Sequence, residues 1–137
     1  MKIILTTLIF ISSLSLIAQK KSNLYLDNFG PNDTIELIIQ TIGDNVSYID
    51  NISQFYIYKN GDTLKVTAYF MFDKNYVPHK ITLTKEQFEY LRQLETQGRQ
   101  QPETGLAHDN YKWIYKHKVF KTRLNSDNSV KLFDYFK

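Results

Sequence analysis

The sequence predicts an α+β domain: an antiparallel sheet built from two hairpins, with one main helix (about 84–97) packed on one face. Three observations predict it. Ile81–Gly98 (ITLTKEQFEYLRQLETQG) carries helix start signals and an apolar repeat of helical period. Strand-type patterns flank that helix, one with a hairpin turn at Asn60-Gly61 and one alternating through Tyr111–Val119. The composition, with 10 Tyr, 9 Phe, 5 Gly and 3 Pro, suits strands. A small open barrel with the helix as its plug is the alternative architecture.

Residues 1–18 read as a signal peptide outside the fold. Lys2 gives a short positive region, Ile3–Ile17 is apolar, and Ala18-Gln19 is a cleavage point, with Ser15 as fallback. About 15 apolar residues fall short of the ~20 that span a bilayer. The expectation is therefore an exported chain, periplasmic or secreted, with no transmembrane segment after cleavage. There is no Cys, so neither a disulfide nor a lipid-bearing Cys is available.

Residues 19–33 read as a flexible N-terminal segment, with Leu24, Tyr25, Leu26 and Phe29 able to dock part of it; Gly30-Pro31 signals a turn. Residues 34–137 form one globular domain. Asp33–Gly43 (DTIELIIQTIG) fits two patterns. Asp33, Glu36 and Gly43 mark a capped short helix with Ile35, Ile38, Ile39 and Ile42 on one face. Ile35, Leu37 and Ile39 also alternate as in a strand. Caps at both ends favour the helix. Val46–Ile52 is then a linking element.

Ser53–Phe72 predicts a hairpin. With Asn60-Gly61 as the turn, Phe55 faces Val66, Ile57 faces Leu64 and Tyr58 faces Thr63. Asp73–Pro78 is a loop, and His79–Leu83 is a short strand. Thr84 and Gln87 form a capping box, and Leu83 and Phe88 have the spacing of a hydrophobic staple. Phe88, Leu91 and Leu94 make a narrow stripe, with Glu89, Arg92 and Glu95 on the wet side and Gly98 as the stop. Arg99–Asn110 reads as a loop.

Tyr111, Trp113, Tyr115, His117 and Val119 alternate onto one face. A bulge at Val119-Phe120 would then turn Phe120, Thr122 and Leu124 inward. It would also gather Lys112, Lys116, Lys118, Lys121 and Arg123 outside. Asn125–Asn128 reads as a turn and Ser129–Lys137 as a last strand rather than a short helix.

Chemical signatures are sparse. There is no nucleophile elbow, no H-E-x-x-H and no phosphate-binding glycine loop. His79, His108 and His117 are far apart in sequence, so no metal site is expected, and no cofactor. Glu103, His108 and Asp109 are the weak catalytic candidates, on the 99–110 loop, for a small secreted hydrolase. The 112–123 basic strand instead suits an anionic surface or polymer. Nucleic acid is disfavoured, because the interleaved aromatics alternate onto the opposite face.

The leading expectation is a small exported, non-catalytic interaction module. It would act as an inhibitor, immunity or accessory type, binding a protein or an anionic polymer in the envelope or outside the cell. Lysines also protect exposed sheet edges, and that plainer use of the basic strand stands beside the binding one. The sequence assigns no oligomeric state.

Overall fold

A computed structural model describes residues 22–41, 51–71, 73–100 and 108–136. The elements are α1 (Tyr25–Asn28), β1 (Thr34–Thr41), β2 (Asn51–Asn60), β3 (Thr63–Phe70), β4 (Lys80–Thr82), α2 (Lys85–Gln100), β5 (His108–Tyr115), β6 (Lys118–Asn125) and α3 (Ser126–Phe136). The six strands form one sheet in the order β4-β3-β2-β1-β5-β6, every described pairing antiparallel. Buried alternate residues put one face under the helices: Ile35, Leu37 and Ile39, Phe55 and Ile57, Val66 and Ala68, Tyr111 and Trp113.

The main helix begins as its sequence predicts. Thr84 N–H donates to Gln87 Oε1 at 2.9 Å, and Gln87 N–H donates to Thr84 Oγ1 at 3.1 Å. Leu91 and Leu94 are fully buried. Two expectations about this helix fail. Gly98 does not stop it; α2 runs on to Gln100, and Gly98 is instead where the helix touches β6. Glu95 does not point to water. It is fully buried, because it accepts from the Tyr25 and Leu26 N–H groups at 2.6 and 3.1 Å and from Arg99 at 2.7 Å. Two free amides and a guanidinium replace the water that the carboxylate gives up.

The helix expected over Asp33–Gly43 is absent from the described residues of that stretch. Thr34–Thr41 is strand β1, held between β2 and β5. The two patterns shared their residues, and the β-branched content decided. Asp33, read as a helix cap, instead accepts from Gly30 N–H and Tyr115 O–H, both at 2.8 Å. The short N-terminal helix lies earlier, at α1. Leu26 and Phe29 dock on the core beside it, and Tyr25 packs at its edge. Arg92 clamps Asp27 with two bonds of 2.6 and 3.0 Å. That guanidinium, first of all, holds the Asp27 carboxyl below its ordinary range.

The β2–β3 hairpin keeps its predicted faces but shifts its turn to Gly61-Asp62, so Ile57 faces Val66, Phe55 faces Ala68 and Tyr58 faces Lys65. Gly61 takes φ 62, which places glycine at the first central position of a two-residue turn. A partner shift of two residues changes neighbours without exchanging faces, so the core survives it.

The last element corrects the expected strand. Ser126–Phe136 is helix α3, and Asn125–Asn128 is no turn: Asn125 ends β6 and its side chain accepts from Asp127 N–H at 3.0 Å as an N-cap. Ser129, Leu132 and Phe136 are buried, with Phe133 partly so. Ser129 hid the helical period, because a hydroxyl stands at a core position. There it bonds the buried Tyr111 hydroxyl at 2.6 Å. Phe133 and Phe136 pack on Phe55, and Phe133 also meets Phe70, so α3 covers the middle of the sheet that α2 was expected to cover alone.

Candidate binding face

The second hairpin is β5–β6, closed by Lys116-His117, with Ile114 facing Val119 and Trp113 facing Phe120. This regular ladder removes the expected bulge. The change of parity comes from the turn: after two turn residues, Phe120, Thr122 and Leu124 return to the inner side opposite Trp113, Tyr111 and Asp109. Lys116 holds φ 56, which a hairpin turn demands and a lysine adopts at a cost.

The turn also divides the basic residues. Lys112 and Lys121 are direct cross-strand partners on the uncovered face, the one that no described helix covers, and Arg123 follows two positions on. Lys116 and Lys118 belong to the turn end. There Lys116 Nζ stands 3.4 Å from Asp33 Oδ2, and Lys116 and Lys118 line a hollow of about 410 Å³ with Ser22, Leu24, Tyr25 and Tyr115. Gly30 N–H and the Tyr115 hydroxyl hold the Asp33 carboxyl below its usual range. The Lys116 ammonium is raised by Tyr115 and then Asp33. Arg99 stacks between Tyr25 and Phe120, 4.6 Å from each ring centre. This end is thus tied into the fold by an ion pair and ring contacts, which the Lys112–Lys121 pair does not share among the described residues.

The strand registers lay out the uncovered face in rows. One row runs Lys80, Thr67, Tyr56, Glu36, Ile114, Val119. The next runs Tyr69, Gln54, Ile38, Lys112, Lys121, and a third Ile52, Gln40, Asn110, Arg123. Glu36 is the only acid among these described outward positions, and it accepts from the Gln54 amide. Burial first, and the Glu36 charge second, push the Tyr56 hydroxyl upward. Tyr56 and Tyr69 meet edge to face at 5.7 Å. Neither Lys112 nor Lys121 joins an ion pair among the described residues. Ile38, Gln40, Lys112, Lys121 and Arg123 border a shallow hollow of about 340 Å³. The alternation of the sequence already puts Ile114 outward with the basic residues and Tyr56 on the outer side of its hairpin. That Ile38 joins them is visible only once β1 is known to be a strand.

The catalytic candidates are not brought into one site among the described residues. Glu103 lies outside them. His108 opens β5, so the 99–110 segment is shorter as a loop than expected: residues 99 and 100 end α2, and 108–110 begin β5. Asp109 is buried at 2% exposure, opposite Leu124. His79 precedes β4 at one edge of the sheet, and His117 turns between β5 and β6 at the other. No group of three His, Cys, Asp or Glu among the described residues is placed to hold a metal ion. No helix of the described residues is long and apolar enough to cross a membrane.

Compared with protein families, with characterised proteins and with solved structures, the chain matches none of them.

Proposed function

We propose that the protein is a small exported interaction module, without catalysis, that holds an acidic macromolecular partner on the uncovered face of its sheet. One observation carries the reading: Lys112 and Lys121 stand directly opposite each other and neither has a carboxylate partner among the described residues. Like charges directly opposite destabilise a strand pair. An incoming anion offsets that repulsion, so the pair rewards binding more than two scattered lysines would. Ile38 and Ile114 beside it supply apolar area that a purely solvated charged face does not need.

Export rests on the apolar segment before Ala18. Recovery of the chain from outside the cytoplasm with Gln19 at its N-terminus is the expected result; recovery of the full-length chain in the cytoplasm contradicts it.

Titration with polyglutamate tests the face. Binding is expected at low salt and weakens as salt rises. The double variant Lys112→Glu/Lys121→Glu abolishes it, while Lys74→Glu, on the exposed segment between β3 and β4, leaves it unchanged. Equal loss in both variants would mean that net charge alone binds, and no binding at low salt would remove the reading.

A further inference from the structure

We propose that β6 accepts an extended acidic peptide as a seventh strand, an inference that rests on the acidic-partner reading and narrows it to strand addition. The backbone carries the argument. In the two-residue β5–β6 hairpin, the pair that closes the turn, Tyr115 and Lys118, exchanges hydrogen bonds across the strands. Such pairs alternate with non-bonded ones, so Ile114 with Val119 and Lys112 with Lys121 are non-bonded pairs. The N–H and C=O groups of Val119 and Lys121 therefore aim away from β5, at the edge of the sheet where no described strand pairs.

These are the same residues whose side chains lie on the uncovered face. A strand bonded to Val119 and Lys121 sets its own opposed side chains on that face, next to the basic row. Backbone pairing and charge recognition then act on one segment of the partner. That is the economy of strand addition: main-chain bonds give affinity and alternate side chains give selectivity.

The two edges of the sheet differ. β4 has three residues, whereas β6 has eight and pairs with β5 without a bulge or a proline. Val119 is 53% exposed. Lysines commonly guard an edge against pairing. Here the guard is selective by sign. A second copy of β6 would bring Lys118, Lys121 and Arg123 against their own kind, while an acidic strand brings the opposite charge. The edge thus discourages self-association and favours one class of partner.

The test uses the full mature chain and a capped peptide of eight residues alternating Glu and Val, matched to the length of β6. Hydrogen exchange read by NMR should slow at the Val119 and Lys121 amides when the peptide binds. Methylating alternate peptide nitrogens should weaken binding about tenfold or more, the cost of losing roughly two main-chain bonds. Val119→Pro should weaken it similarly without disturbing the β5–β6 ladder, since that N–H faces away from β5. Lys121→Glu should transfer preference to a Lys-Val peptide. An unchanged thermal midpoint for each variant shows that the fold is intact.

If methylated and unmethylated peptides bind alike, with no protection at Val119 or Lys121, strand addition is overturned and the charged face alone survives. If neither the peptide nor polyglutamate binds at low salt, both readings fall.

Discussion

Gly98 in α2 lies so close to Thr122 in β6 that a β-carbon at 98 would stand 2.6 Å from Thr122 Cγ2, with Phe120 Cζ at 3.3 Å. The residue read from sequence as a helix stop is the contact that sets the helix on the sheet. Alanine is worth about 1 kcal/mol over glycine inside a helix. Here that gain meets a stiff, buried, β-branched neighbour, and overpacking costs about 1–3 kcal/mol. Gly98→Ala is therefore expected to lower urea-unfolding stability, and Gly98→Ala/Thr122→Ser to recover most of the loss by removing the opposing methyl. A stabilising single variant would show that β6 yields freely.

Glu95 predicts a cooperative latch on the N-terminal segment. Its carboxylate serves the Tyr25 and Leu26 amides together with Arg99, so Glu95→Ala orphans three partners at once. A loss of about 2–4 kcal/mol is expected, with faster hydrogen exchange at Tyr25 and Leu26. Glu95→Gln, which keeps one acceptor oxygen, should fall between. Unchanged exchange at those amides in the Ala variant would separate α1 docking from Glu95.

How far the sequence reached follows from which signals were local. The Thr84–Gln87 capping box and the inner rows of β2 and β3 were legible, because each depends on spacing within a few residues. Strand β1 was not. Its caps and its alternation coexist in the same residues, and only the pairings to β2 and β5 separate them. Helix α3 stood only as the lesser alternative, because its buried stripe runs through Ser129, whose burial makes sense only beside Tyr111. The basic residues were found, but their division into a turn pair and a face pair depended on a turn whose first residue, Lys116, is not one that turns prefer.

That turn supports its own prediction. Lys116 at φ 56 carries a left-handed cost of about 1–2 kcal/mol that glycine avoids. Glycine loses about 0.5–1 kcal/mol through unfolded-state entropy, and the exposed contact with Asp33 is worth little. Lys116→Gly is expected to gain about 0.5 kcal/mol net. Lys116→Ala should show no gain. Equal behaviour of the two in denaturant melts would mean that the turn relaxes without glycine.

Alkaline pH should expose the buried tyrosines. Burial, and then the neighbouring Tyr135, push the Tyr90 hydroxyl from 10.0 up to about 12. The neutral form is thus favoured in the folded state. Its contribution is complete below pH 10 and drains away as pH rises toward 12. Tyr90→Phe loses the bond to the Asn128 carbonyl, 3.0 Å long, and should cost about 1 kcal/mol at pH 8. The gap between the two proteins should narrow above pH 10 in urea titrations at stepped pH. A constant gap would mean that Tyr90 ionises as freely folded as unfolded.

The position of β1 between β2 and β5 has a kinetic meaning. Ile35 must find Tyr115 across nearly the whole domain, whereas the β2–β3 and β5–β6 hairpins each close over a two-residue turn. Non-local closure delays folding, because chain entropy is lost before contacts repay it. The hairpins are expected to gain protection first in pulsed hydrogen exchange, with the β1–β5 seam last. Until that seam closes, β1 exposes a strand edge rich in isoleucine. A chain interrupted before β5 would keep it exposed, as an aggregation hazard that the finished fold places in the centre of its sheet.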